Sequence, residues 1–281
     1  GKRGLMIRVE NLVYRYGSQG DPVLRGIDLE IKRGEYLAVI GPNGCGKTTL
    51  VKHLNGLLRP SEGTVLVDGM DTSEGRSLRE IRRKVGMVFQ NPEVQIVGMT
   101  VEEDVAFGPG NLGLPPEEIR RRVEEAISFV GLETHARRSP HDLSSGEQQL
   151  LAVAGVLAMA PDCIILDEPT TYLDPAGTRK VLDVVARLHL QGVTLVHITH
   201  YMDEIVETDR VVVMDRGRIA LSGSPPEVFS EQDILLDLGL EIPSVTAFMK
   251  KLRQMGVPVD PRVLTVEDAC REITRLLERR P

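Results

Sequence analysis

The stretch YLAVIGPNGCGKTT, Tyr36 to Thr49, constrains the fold more than any other part of the chain. YLAVI is a short, nearly continuous apolar run, the texture of a strand buried on both faces of a sheet. A glycine-rich loop follows immediately, then a helical pattern through Leu50, Val51 and Leu54 that stops at Asn55-Gly56. GPNGCGKT fits G-x-x-x-x-G-K-[ST] in the strand, loop, helix setting that gives the pattern its meaning. Glycine lets the backbone curl until its N–H groups converge, and the helix start adds partial positive charge. Gly41, Pro42, Asn43, Gly44, Cys45 and Gly46, with Thr49, are therefore expected to hold a nucleoside triphosphate. Lys47 is expected to span the outer phosphates and Thr48 to offer a hydroxyl to Mg2+.

A second buried run, CIILDEP, places Asp167 and Glu168 at a strand's carboxyl end, where open α/β sheets bind their ligands. Two ionised groups near a core are costly without a cation, which favours Asp167 as a metal ligand, directly or through water. Glu168 is then placed to polarise an attacking water. The third run, VTLVHITH, alternates His197 and Thr199 on one face with Ile198 and His200 on the other. His197 reads as a satisfied core histidine. His200, at the strand's exit, is placed to contact a terminal phosphate and orient the water or Glu168.

Around these runs the texture differs. IRVENLVYRY and VLRGIDLEI alternate apolar and polar residues across GSQGDP and predict antiparallel strands with one wet face. RVVVMDRGRIALSG predicts another hairpin, turning at Asp215 to Gly217, and Ile119, Val123, Ile127 and Val130 predict a helix ending at Gly131. The body is thus an α/β sheet with an antiparallel margin. From about Pro225 the chain turns helical, with Val245, Phe248, Met249 and Leu252 on one stripe and Val266, Ala269, Cys270, Ile273 and Leu276 on another. These stripes either pack onto the main domain or dock a second copy or a paralogue; the pattern leaves both open. No apolar run approaches the ~20 residues of a membrane helix, so any membrane role must come through a partner. GKRG lacks the apolar stretch of a secretion signal, and three widely spaced cysteines fit a reducing compartment better than a disulfide framework. A net charge of −7 weighs against a nucleic-acid surface without forbidding a local basic patch.

Taken together, these residues resemble the nucleotide-binding subunit of ATP-binding cassette (ABC) transporters over nearly all the chain up to Pro225. GPNGCGKTT is similar to the family's Walker A loop, Gln90 in VFQNPE to its glutamine loop, and LSSGE from Leu143 to its signature. CIILDE is similar to Walker B, LDP with Asp174 to the D-loop, and His200 to the switch histidine. Tyr16 in YRYG resembles the aromatic that stacks on adenine, although an aromatic in a strand also serves packing. NPEVQIVGMTVEEDVAFGPGNLGLPPEEI and GLEIPSVTAFMKKLRQMGV further resemble the ATPase subunits of energy-coupling-factor (ECF) importers. The resemblance implies a P-loop ABC ATPase fold over 5–225 with a helical signature subdomain at about 91–160, and a helical extension over 226–281 through which two ATPases meet. It implies ATP hydrolysis with Mg2+ on Thr48, Gln90 and Asp167, a catalytic set of Glu168, His200 and Gln90, and two cassettes head to tail. Ser144, Ser145, Gly146, Glu147 and Asp174 would then complete the partner's site. The implied partners are a second ATPase, paralogous or identical, a transmembrane coupling protein and a substrate-capture membrane protein, with no nucleic acid. The implied place is peripheral, on the cytoplasmic face of the cell membrane.

Some residues depart from the pattern. LSSGE replaces the usual LSGGQ: Ser145 brings a Cβ, strained if the backbone there needs positive φ, and Glu147 brings an anion unless it turns back to cap its own helix. Ser144 to Glu147 do spell a capping box. The QQL that follows also lacks the arginine often found there. These changes lead to the expectation of an asymmetric pair of sites. Cys45 either has its pKa lowered by the phosphate-facing N–H groups, and reacts with thiol reagents, or points into the core. VEEDVAFG is expected to be an exposed, acid-flanked contact with the coupling protein, individual acids such as Glu102 and Glu103 being otherwise solvated. Rival readings are a cobalt or nickel importer, an exporter, or a soluble ABC ATPase acting on nucleic acid.

Overall fold

A computed structural model describes residues 4–17 and 20–278. Most of GKRG, Ser18 and Gln19 of the GSQGDP turn, and the end of the 226–281 extension lie outside the described residues. β1 (Leu5–Tyr14) and β2 (Leu24–Lys32) form a hairpin, and β3 (Tyr36–Ile40) leads through the phosphate loop into α1 (Lys47–Leu54). β4 (Glu62–Val67), β5 (Met70–Asp71), α2 (Leu78–Lys84) and β6 (Val85–Val88) follow. A helical block of α3 (Val101–Asn111), α4 (Pro116–Val130) and α5 (Ser145–Leu157) precedes β7 (Cys163–Asp167). α6 (Pro175–Leu190) leads to β8 (Thr194–Ile198), then to the hairpin β9 (Arg210–Asp215) and β10 (Arg218–Gly223). The chain closes with α7 (Pro225–Ser230), α8 (Gln232–Asp237), α9 (Ser244–Gln254) and α10 (Val266–Glu278).

Two sheets result. The larger has the order β10-β9-β3-β8-β7-β6, and from β9 to β6 every pairing is parallel. β3, β6, β7 and β8 are buried at every position, which is why their sequences show no alternation. The antiparallel margin consists of β10, paired with β9, and a separate sheet of order β2-β1-β4-β5. Register carries the functional consequence. Ile198 on β8 pairs with Val39 on β3 and with Asp167 on β7, so the residues leaving all three strands emerge side by side. Val88 on β6 pairs with Leu166, which brings Gln90 to the same edge two residues later.

The helical block buries Val123, Ala126, Ile127 and Val130 of α4 against Leu150, Leu151, Val153 and Ala154 of α5, and α4 stops where Gly131 takes φ of 78°. After β10, α7 and α8 cover the β9 side of the sheet, where Val228, Phe229 and Leu235 meet Ala38, Ile40, Val211 and Val213. α9 and α10 form a small core of their own around Met249, Val259 and Ala269, joined by Val245, Leu252, Ile273 and Leu276. Much of both C-terminal stripes is therefore used internally; Phe248, Val266 and Cys270 face outward. No helix among the described residues is long and apolar enough to cross a membrane.

Phe229 is only 2% exposed and ties α7 to the sheet. Phe229→Ala is expected to cost about 3–5 kcal/mol, measured by urea denaturation.

Candidate functional site

The phosphate loop is shaped by close contacts. A Cβ on Gly41 would lie 2.3 Å from the Met214 carbonyl oxygen, and Gly46, at φ of 110°, forms the turn that starts α1. Asn43, Gly44 and Thr48 are exposed along the rim, Pro42 is half-buried, and Thr49 is buried beneath it. Lys47 folds over the loop, donating from Nζ to the carbonyls of Gly41 at 2.7 Å and Pro42 at 3.1 Å. Cys45 is buried, and burial pushes its thiol pKa up, with the Lys47 charge only partly opposing. The reactive-thiol alternative for Cys45 does not hold, because desolvation of a thiolate outweighs the nearby positive charge.

At the end of β7, Thr48 Oγ1 donates to Asp167 Oδ1 at 3.1 Å. Burial pushes the Asp167 carboxyl up, and the Thr48 hydrogen bond pulls it partly back. Glu168 adopts φ of 49°, a left-handed conformation costing a non-glycine residue about 1 kcal/mol or more. Its N–H donates to the Ile198 carbonyl at 2.9 Å, which pins the turn to β8. Its Oε2 accepts from Gln90 Nε2 at 3.0 Å and Thr171 Oγ1 at 3.1 Å, and His200 Nδ1 stands 3.7 Å away. Thr171 was not singled out from the sequence; its only signal is a hydroxyl three residues after an acid at a strand end. His200 is 39% exposed at the side chain and sits against the Tyr201 ring, centroids 4.0 Å apart.

His197 is fully buried, and burial pulls its pKa down to about 4. Its Nδ1 is hydrogen-bonded to the Tyr36 hydroxyl at 2.9 Å, but Nε2 makes no hydrogen bond, so the expected core histidine is only half satisfied. Tyr16 lies two residues beyond β1 and is 55% exposed, with its hydroxyl 3.1 Å from Thr49 Oγ1. Packing within a strand is thus not its role.

The LSSGE segment begins α5. Ser144 is the N-cap: Glu147 N–H donates to Ser144 Oγ at 3.3 Å, and Ser144 N–H and Oγ both donate to Glu147 Oε2 at 2.9 Å. Ser145 is the first helical residue and is absent from the positive-φ positions, so the strain its Cβ threatened does not arise. Hydrogen bonding from the Ser144 N–H holds the Glu147 carboxyl below the usual range. Gly146 is buried against α6, where an added Cβ would lie 3.0 Å from Gly177 Cα. Asp174 caps α6, accepting from Gly177 N–H at 2.7 Å.

VEEDVAFG is less acidic a surface than it reads. Asp104 is buried and accepts from the N–H groups of Val97 at 2.7 Å and Gly98 at 2.9 Å, while Glu103 closes a capping box with Thr100. Glu102 and Glu103 are exposed as expected, and apolar residues stand beside them: Val97 and Phe107 border a groove of about 610 Å³ with Arg79, Arg83 and Met159, and Val94 and Met99 are also exposed.

The family model described as ABC transporter matches residues 24–171. The chain is 56% identical to the cobalt import ATP-binding protein CbiO of Syntrophus aciditrophicus, over 95% of this chain and 96% of that one. It is 50% identical to the energy-coupling factor transporter ATP-binding protein EcfA1 of Symbiobacterium thermophilum, over 97% and 98% of the two chains. Among solved structures, cbiO1 from Clostridium perfringens, described as part of the ABC transporter complex cbiONQ, matches with a TM-score of 0.76 and 38% identity, covering 88% of this chain and 99% of that one. The dimeric post-hydrolysis state of the ATP-binding cassette MJ0796 bound to ADP and Pi matches with a TM-score of 0.70 and 31% identity, covering 78% and 98%.

The cap geometry has measurable consequences. Ser144→Ala is expected to cost ~1 kcal/mol of stability, whereas Ser145→Gly should lower rather than raise it, both read by urea denaturation. Because the folded Glu147 carboxyl is held low, its contribution is complete above the ordinary glutamate pKa of about 4.3 and is lost as pH falls below it. The stability gap between the protein and Glu147→Gln should therefore shrink in acid.

Proposed function

The chain belongs to the ABC transporter family and carries its ATPase, and from that premise we propose that it is the ATP-hydrolysing subunit of an ECF-type importer driving uptake of a vitamin or metal ion. The observation that carries the hydrolytic assignment is the convergence of Gln90, Thr171 and His200 on Glu168 Oε2, beside the phosphate loop. The N–H groups from Gly41 to Gly46 cradle the triphosphate, Lys47 exchanges its loop carbonyls for phosphate oxygens, and the exposed Tyr16 ring offers a face to adenine. The Thr48 hydroxyl and the Asp167 carboxylate form an all-oxygen donor pair suited to Mg2+, and a buried carboxyl pushed up by desolvation favours such a cation. Gln90 would join them through its amide oxygen. When bound, that ion neutralises phosphate charge.

Glu168 accepts a hydrogen bond from the attacking water and orients it towards the terminal phosphate, and His200 contacts that phosphate from the exit of β8. Ser144 and the N–H groups at the start of α5 meet the terminal phosphate held by a second cassette, with Asp174 nearby in the same half-site. Glu147 is tied back to Ser144 and Ser145 is unstrained, so the expectation of unequal sites rests on the QQL after Glu147, which lacks the arginine often found there. The dimeric state of the related cassette supports the pairing of two cassettes. The groove at Val97 and Phe107, continuous with the segment after Gln90, is the proposed seat of a transmembrane coupling protein, which would place the chain peripherally on the cytoplasmic face of the membrane. A substrate-capture membrane protein would select the cargo. Residues 5–225 are read as the ATPase domain and 226–281 as the extension contacting the second ATPase; the separate core of α9 and α10 and the outward-facing Phe248 support this for the later part, whereas α7 and α8 share the core of the main sheet. The CbiO relative favours cobalt as one candidate cargo.

Glu168→Gln is expected to bind ATP normally and to hydrolyse it about 10²-fold more slowly or worse, measured by nucleotide titration and phosphate release. Phe107→Asp should lose co-purifying membrane proteins in mild detergent while keeping ATP binding. Equal loss of ATP binding would sink the docking assignment.

A further inference from the structure

Directly behind the hydrolytic pair lies a buried acid that this chemistry does not use. Glu204, 6% exposed at the side chain, ends a short 3-10 turn, Met202–Glu204. Its Oε1 accepts from Thr170 Oγ1 at 2.6 Å, and its Oε2 accepts from Thr199 Oγ1 at 2.8 Å. Thr170 stands two residues after Glu168, and Thr199 immediately precedes His200. One carboxyl group therefore bridges the segment leaving β7 to the segment leaving β8. Thr199 Oγ1 in turn accepts from the Tyr201 N–H at 3.0 Å, so the backbone on both sides of His200 is fixed through that hydroxyl.

The bridge is itself held in place. His197 Nε2, fully buried and without a hydrogen bond, lies 3.6 Å from Glu204 Oε2, and His197 Nδ1 is bonded to the Tyr36 hydroxyl of β3. A neutral imidazole carrying its proton on Nε2 presents that N–H to the carboxyl group while Tyr36 donates to Nδ1. On the other side, Asp203 accepts from Ser244 N–H at 2.8 Å and Oγ at 2.7 Å, anchoring the turn to the start of α9. A buried acid that satisfies two threonines and faces a buried imidazole is a costly arrangement for packing alone.

We propose that Glu204 is a positioning residue that sets the separation of Glu168 and His200 by cross-linking Thr170 to Thr199. The inference rests on the assignment of Glu168 and His200 to hydrolysis. Glu204 accepts its hydrogen bonds from the two threonines, and it acts through the backbone that carries both groups. Displacements of about an ångström at reacting groups cost up to ~10²-fold in rate.

The test measures ATP affinity and turnover of the full chain separately. Glu204→Leu should lower kcat about tenfold or more while the Kd for ATP stays within about twofold, and Glu204→Gln, which keeps a bridging group, should recover most of the loss. Thr199→Val, which cuts the link to the His200 side alone, should lower kcat by a smaller factor and decides the matter if Glu204→Leu does not fold. Unchanged kcat in folded Glu204→Leu, or in Thr199→Val, overturns the proposal, as does a parallel loss of ATP affinity. Glu168→Gln and His200→Ala serve as controls: normal hydrolysis in these would overturn the site assignment itself, a failure distinct from that of Glu204.

Discussion

The nucleotide face depends on one row of backbone pairing, Ile198 between Val39 and Asp167. Parallel strands in register end together, and what leaves them is the phosphate loop from β3, the acidic turn from β7 and the histidine turn from β8. The Glu168 N–H extends this pairing by one more hydrogen bond, to the Ile198 carbonyl. A shift of one residue in any of these strands would turn its buried set to the opposite face and separate the three loops. The apolar uniformity of the strands is thus a condition of the chemistry as much as of stability.

The parts legible in the sequence were those in which local pattern and tertiary environment coincide. YLAVI, CIIL and VTLVHI read as buried strands because both faces are covered, and Gly131 read as a stop because the helix does end there in a left-handed turn. β4 and β6 escaped notice: EGTVLV opens with an exposed Glu-Gly pair, and VGMV is four residues long. In the site, the phosphate loop, Asp167, Glu168 and His200 were legible because their neighbours in sequence are also their neighbours in space. Thr171 was not, because a hydroxyl three residues after an acid is too common a pattern to single out, and Glu204 was not, because its bond to Thr170 joins segments that no spacing connects. Within the acidic run VEEDVAFG, Glu102 and Glu103 are exposed, but Asp104 folds inward onto two N–H groups, a difference that no pattern in the run announces.

LSSGE shows how two uses of a helix start coexist. The cap engages Ser144 Oγ and draws the Glu147 carboxylate back towards Ser144, so the anion is held by its own chain. Gly146 contributes nothing conformational; its missing side chain lets α5 approach α6 at Gly177. The same small-residue contact links the segment expected to face a partner's phosphate to α6, whose N-cap is Asp174.

Glu168 occupies a backbone conformation that suits glycine better than any acid. A population of variants sorted by heat resistance alone would find glycine at this position attractive, since it relieves backbone strain and removes a carboxylate from the Asp167 neighbourhood. Sorting by turnover would reject the same variant. Thermal selection and catalytic selection therefore pull this single residue in opposite directions, and a stabilised form of the enzyme reached by heat selection would be expected to arrive as a nucleotide-binding protein that no longer turns over.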